Sequence, residues 1–241
     1  MSAFGLLRRL SPAAFEELIR GAGVVTRDSG GPKLLRRRDG RMVKVFRRRR
    51  LISSSVIWPV ALRFCRAARR LAALGVPSVT VEAAYRVPEV ARHAVVYPEI
   101  QGTTLRDAIA DPERRDVLLD RFARFLADLH AKGVYFRAIH FGNVVVREDG
   151  NCALVDISEC RFRRAPLRLG LRARNFRPFF SYEEDTAVLH AFGLDRFLGL
   201  YCDAACLEPR ARARFVSALA RSLSVATDTP SGYRGRRGSR L

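Results

Sequence analysis

The sequence predicts an α+β chain of two lobes: a small antiparallel-sheet lobe over residues 1–100, a mainly helical lobe over 101–227, and a disordered basic tail at 228–241. Three observations predict it. Short strand-like runs broken by turn residues lie between Val24 and Phe46, amphipathic helical repeats run from Pro59 to Gly75 and from Val117 to Ala131, and an apolar hairpin signal spans Val144 to Ile157. With 241 residues, 48% of them apolar, the chain has enough material to bury a core of this kind.

Taken in order, Pro12 to Arg20 reads as a short helix. Strands follow at Val24 to Thr26, Lys33 to Arg38 and Arg41 to Phe46, the last two joined by a turn at Asp39-Gly40. Alternation along the third strand places Met42, Lys44 and Phe46 on one face and Val43 and Val45 on the other. Lys44 thus sits among apolar neighbours, where lysine needs a reason to be, and a phosphate ligand is one. The helix from Pro59 to Gly75 turns Leu62, Ala67 and Leu71 inward and Arg63, Arg66, Arg69 and Arg70 outward. Ala94 to Ile100 is a buried strand. Helices at Thr104 to Ile109 and Val117 to Ala131 come next, the second closed by Lys132 and Gly133.

Charge narrows the partners. The chain carries 44 basic and 24 acidic residues, a formal net charge of +20, and all the basic residues except Lys33, Lys44 and Lys132 are arginine. Ten basic residues and one acid lie between Lys33 and Arg50, and seven arginines with no acid between Arg161 and Arg177. Same-sign blocks repel, so an anionic partner is expected: nucleic acid, anionic lipid and phosphorylated glycolipid all offer phosphates that suit the guanidinium fork. The tail SGYRGRRGSRL from Ser231 to Leu241 could add electrostatic adhesion to a membrane surface, and equally reads as inert. Five scattered cysteines without C-x-x-C spacing argue against a disulfide framework and a zinc site. The absence of a long apolar run and of a secretory pattern in MSAFGLLRRL leads to the expectation of a cytoplasmic protein.

The hairpin organises the chemistry. Two apolar strands, Val144 to Val146 and Ala153 to Ile157, flank Glu148-Asp149-Gly150-Asn151. Centring a two-residue turn on Asp149-Gly150 makes paired residue numbers sum to 299, which sets Asn143 opposite Asp156 at the open end. An amide oxygen and a carboxylate so placed suit a hard cation such as Mg2+, or simply cap the strand ends.

The motifs L-x-x-L-H-x-x-G-V from Leu126 to Val134, H-x-G-N-V-V-V from His140 to Val146 and L-V-D-I-S from Leu154 to Ser158 stand in one order. That run is similar to aminoglycoside and lipopolysaccharide-core kinases of the protein-kinase-like superfamily. It most resembles the small bacterial lipopolysaccharide kinase group, which includes Kdo and core heptose kinases and the toluene-tolerance proteins. The resemblance covers roughly Val24 to Tyr201. It implies a two-lobed kinase-like fold and ATP with Mg2+ as cofactors, with Lys44 orienting nucleotide phosphates, Asn143 and Asp156 as metal ligands, Glu99 to Gly102 as the hinge beside adenine, and Gly30-Gly31 in the phosphate-covering turn. It implies as partners an anionic glycolipid or lipopolysaccharide core and the inner-membrane surface.

Two departures stand out. The position five residues before Asn143, where the resemblance implies the catalytic aspartate, is Ala138; Arg137 persists and Phe136 replaces the motif's histidine. No acid lies between Asp39 and Glu82 to pair Lys44 from the following helix. His140 then becomes the candidate base, beside Arg137, against the plainer reading of a loop histidine bonded to backbone. Three readings follow: a lipopolysaccharide-sugar kinase peripheral on the inner membrane, a catalytically impaired kinase-like binding module, and, ranked last because no aromatics interleave with the arginines, a nucleic-acid binder.

Overall fold

The computed structural model describes residues 7–47 and 59–227; Arg48 to Arg50 of the first basic run and the tail expected at 228–241 lie outside them. The chain divides into two compact units, Met1–Ile100 and Gln101–Leu241. The fold class is α+β, with a sheet dominating the first unit and helices the second.

In the first unit β1 (Arg8–Arg9) leads into α1 (Pro12–Ile19), whose N-cap Ser11 accepts from the Ala14 N–H and whose first residue is proline. The strands β2 (Gly23–Asp28), β3 (Gly31–Arg36) and β4 (Arg41–Arg47) form successive hairpins; α2 (Val60–Ala73) precedes β5 (Ala83–Val87) and β6 (Arg92–Pro98). The sheet order is β1-β5-β6-β4-β3-β2. Every pair is antiparallel except β1 with β5, where Arg8 lies beside Tyr85 in parallel, an edge strand that the sequence pattern did not indicate. Alternation along β4 divides the core. Val43 and Val45 pack with Phe15, Leu35, Val87, Ala94 and Val96 on the α1 side. On the other side Phe46 meets Phe64 of α2 at 5.8 Å and Phe64 meets Tyr97 at 5.6 Å. Leu62, Ala67 and Leu71 of α2 are buried as its periodicity requires.

The second unit opens with β7 (Thr103–Thr104) and α3 (Leu105–Ala108), where Thr104 caps by accepting from the Asp107 N–H. The 20-residue α4 (Pro112–Ala131) starts at an Asp111 cap with proline in its first turn. β8 (Val134–Phe136), β9 (Val144–Val146), β10 (Cys152–Leu154) and β11 (Cys160–Phe162) supply two small sheets, β10-β9-β7 and β11-β8. The helices α5 (Leu169–Arg174), α6 (Glu183–Phe192), α7 (Leu194–Ala204) and α8 (Pro209–Thr227) complete it. Phe122 of α4 anchors an aromatic core, with Phe141 at 5.5 Å, Phe179 at 5.7 Å and Phe197 at 6.1 Å. Cys65, Cys152, Cys160 and Cys202 are free and buried, and Cys206 is free and exposed.

Two glycines test how backbone constrains this fold. Gly40 and Gly133 both have left-handed φ, +77° and +73°, but nothing lies within 4 Å of a Cβ at Gly40, whereas at Gly133 it would meet the carbonyl oxygens of Arg163 and Ala165 at 2.6 and 2.7 Å. Gly40→Ala is expected to cost about 1 kcal/mol, the left-handed penalty alone, and Gly133→Ala about 3 kcal/mol because backbone must also move. Urea unfolding midpoints of the two variants measure the difference.

Candidate functional site: the loop and hairpin from Ala138 to Asp156

The β9–β10 hairpin sets the site. Its register pairs Val144 with Leu154 and Val146 with Cys152, so partners sum to 298, not 299. The cause is the turn. Arg147 N–H donates to Asn151 O at 3.0 Å and Gly150 N–H to Arg147 O at 2.8 Å, closing a three-residue loop with Gly150 at φ +74°. Asn151 N–H donates to Asp149 Oδ1 at 2.9 Å. The first unit repeats this loop at Arg37 to Arg41, with Gly40 N–H on Arg37 O at 3.2 Å and Arg41 N–H on Asp39 Oδ1 at 3.1 Å.

Asn143 therefore lies opposite Val155, whose N–H donates to Asn143 O at 3.1 Å, and the expected direct opposition of Asn143 and Asp156 is corrected by one residue. Asp156 departs from the strand instead: its φ of 51° and ψ of 40° are left-handed, a conformation that costs a residue with a Cβ and breaks side-chain alternation. The predicted strand to Ile157 accordingly stops at Leu154.

On the other strand the chain before Asn143 is tied down at each step. Phe141 N–H donates to Asp185 Oδ2 at 2.9 Å, Gly142 N–H to His140 Nδ1 at 3.1 Å, and Asn143 N–H to His140 O at 2.9 Å. Asn143 Nδ2 donates to Ala138 O at 2.8 Å, which orients the amide and leaves Oδ1 without a donor among the described residues. Asp185 is fully buried in the first turn of α6 and is held by Arg106 Nε at 2.7 Å. Arg106 also lies over the Tyr182 ring at 4.9 Å, and that ring stacks on His140 at 4.3 Å.

Behind the loop, His130 Nε2 donates to Asn175 Oδ1 at 3.1 Å while Nδ1 accepts from Tyr201 OH at 2.7 Å. Asn175 Nδ2 donates to Phe136 O at 2.7 Å, so this buried network fixes the strand that enters the loop.

His140 is half-buried and its Nδ1 accepts from backbone, so the proton resides on Nε2. Burial, with the charge of Arg106, pulls its pKa down to about 4 against the opposing pull of Asp156. The imidazole is neutral at pH 7 and its lone-pair nitrogen is engaged by backbone, the geometry of the plainer reading of a loop histidine. Arg137 is exposed beside Glu159 at 3.5 Å, its N–H on Glu159 O at 3.3 Å. Ala138 places a methyl where a carboxylate was expected. Among the described residues no three His, Cys, Asp or Glu side chains form a metal cluster. The Asn143 amide oxygen and the Asp156 carboxylate are oxygen donors of the kind a hard cation takes.

The remaining candidates belong to the first unit. Lys44 is 5% exposed on β4, between Leu34 and Val95, with Nζ 6.0 Å from the Phe46 ring centroid and 5.9 Å from that of Phe64. Gly30 lies in the β2–β3 turn and Gly31 opens β3, with Gly30 N–H donating to Asp28 Oδ1 at 3.0 Å. Arg47 pairs with Asp28 at 2.6 Å and crosses Gly30 so closely that a Cβ there would fall 0.9 Å from Nη1. Glu99 follows β6, its N–H on Gly40 O at 3.3 Å and its carboxylate on Arg36.

Arg106, Asp185 and Tyr182 were not singled out from sequence. The acids Glu183 to Asp185 at a helix start were a visible signal, but their partner is 79 positions away.

No protein-family model matches the chain, and no curated protein matches it by sequence. Among solved structures it is similar to the bifunctional kinase-methyltransferase WbdD, with 20% identity and a TM-score of 0.46 over 82% of this chain and 43% of that one. The chain thus spans less than half of that protein's length, and no residue role is taken from it.

The two low histidine values predict a pH effect. Both folded-state pKa values, about 4 for His140 and about 3 for His130, lie below the ordinary 6.5. The unfolded chain then binds protons first, so stability is full above that ordinary value and falls as pH drops through it towards 4. Urea midpoints measured between pH 7 and pH 5 are expected to decline, and His140→Gln to flatten part of the slope.

Proposed function

We propose that this chain is a kinase-like phosphotransferase that uses ATP and Mg2+ to phosphorylate a hydroxyl of a lipopolysaccharide inner-core sugar, acting peripherally at the cytoplasmic face of the inner membrane. One observation carries the reading: Asn143 presents an unengaged amide oxygen where one strand begins, and Asp156 adopts a strained left-handed conformation where the paired strand ends. A strained acid next to an oriented amide is costly as structure and useful as a cation site.

In this reading Asn143 and Asp156 hold the cation, which when bound neutralises phosphate charge. Lys44, a point charge on an apolar strand face, orients the phosphates. The His130, Asn175 and Asp185 contacts keep the loop in one conformation, so little reorganisation accompanies reaction. Exposed arginines on the second unit suit an acceptor bearing phosphates and acidic sugars. The acceptor proton meets no carboxylate at Ala138, but phosphoryl transfer through a loose transition state relies mainly on positioning and charge, so turnover is slow rather than absent.

Ala138 and the engaged Nδ1 of His140 favour a second reading, a kinase-like module that binds nucleotide without turning it over. No helix among the described residues is long and apolar enough to cross a membrane, which is compatible with peripheral binding in both readings.

The test is phosphate transfer from Mg-ATP to dephosphorylated core glycolipid, beside melting temperature with and without Mg-ATP. The proposal expects product, none from Asp156→Asn, and turnover raised about a hundredfold in Ala138→Asp. A melting temperature raised by Mg-ATP with no product even from Ala138→Asp selects the second reading. A melting temperature indifferent to Mg-ATP, with no product, defeats both.

A further inference from the structure

Two long acid-free stretches of the second unit are packed together. Residues 160–182 contain seven arginines and 209–227 contain four, with no Asp or Glu in either. The helices they form, α5 and α8, pack against each other. Between them lies an open groove of about 480 Å³ lined by Leu169, Gly170, Ala213, Ser217, Arg214 and Arg221. It shares no residue with the loop and hairpin site.

Several arginines of the chain are tied to acids. Arg9, Arg41 and Arg196 meet Glu89, Glu82 and Asp116 at 2.5, 2.6 and 2.8 Å. The exposed Arg161, Arg163, Arg164, Arg168 and Arg174, together with Arg214 and Arg221 in the groove, meet no carboxylate within 4.0 Å among the described residues. Left to itself such a face repels and destabilises the fold. Arg214 and Arg221 are two helical turns apart, about 10 Å, with small residues between them that keep the groove open.

The apolar groups choose among anionic partners. Val216 of α8, outside the groove lining, is 42% exposed, a large apolar side chain on a helix of otherwise basic and small exposed residues. Every aromatic ring of residues 160–182 and 209–224 is buried or half-buried, which removes the stacking platform a nucleic-acid surface uses. A helix that carries arginines and an exposed apolar side chain, and no acid, suits the interface of a charged bilayer.

We infer that the α5–α8 face docks the protein on an anionic phospholipid bilayer, with headgroup phosphates seated in the groove between Arg214 and Arg221. The inference rests on the peripheral-membrane reading above and names the surface that makes the contact. Vesicle binding is read without nucleotide or acceptor, so its failure and the failure of phosphotransfer are separate results.

The full chain is sedimented with vesicles of phosphatidylcholine containing about 30% phosphatidylglycerol, or none, at ~0.1 M salt. Three proteins are compared: the wild type, Arg214→Gln with Arg221→Gln, and the charge-matched control Arg69→Gln with Arg86→Gln, exposed positions of the other unit. The expected result is binding to the anionic vesicles only, weakened about tenfold or more in the groove pair and less than about twofold in the control. Equal losses in the two pairs would show a generic charge effect and overturn the inference. Absence of binding to anionic vesicles overturns it too, as does tighter binding to duplex DNA at equal phosphate concentration.

Discussion

A single buried carboxylate governs the second unit. Asp185 has no access to water, and burying its charge is tolerable only because Arg106 and the Phe141 N–H satisfy both oxygens. That requirement reaches outward. It fixes the start of α6 against α3, sets the backbone of the turn Phe141 to Asn143, and leaves Arg106 stacked on Tyr182, which in turn covers His140. Removing one partner would strand an uncompensated charge, so the loop holds its conformation because the alternatives are electrostatically worse.

Within that frame the functional groups follow from small constraints. Asn143 is oriented by one bond to the Ala138 carbonyl, a contact that any residue at 138 could supply from its backbone. His140 is likewise committed through Nδ1. The loop thus presents an oriented amide and a left-handed acid, and the arginines of α5 and α8 lie outside it.

Much of the fold was legible in the sequence because the periodicities were unambiguous. The three strands up to Arg47, the helices α2 and α4 and the existence of the hairpin followed from alternation, helical repeat, and the Asp-Gly turns at 39–40 and 149–150, whereas the individual helices α5 to α8 were not read from the sequence. The register was not, since an R-x-D-G-x segment closes with either two or three loop residues, and the difference lies in which carbonyl the Gly150 N–H chooses. Asp156 escaped for a related reason: strand pattern continues through Val155 into Ile157, and only the left-handed backbone marks the break. The β1 pairing and the Arg106–Asp185 bond were hidden by separation along the chain, because no local pattern selects a partner 77 or 79 positions away.

The central claim is that Asn143 and Asp156 together hold a divalent cation with nucleotide phosphate. Manganese, which replaces magnesium at oxygen ligands, reports this directly in an electron paramagnetic resonance titration of Mn2+ and ATP. The account predicts a bound manganese signal in the wild type, with affinity reduced about tenfold or more in both Asn143→Ala and Asp156→Ala. Binding unchanged in both variants, or no bound manganese in the wild type, would contradict it.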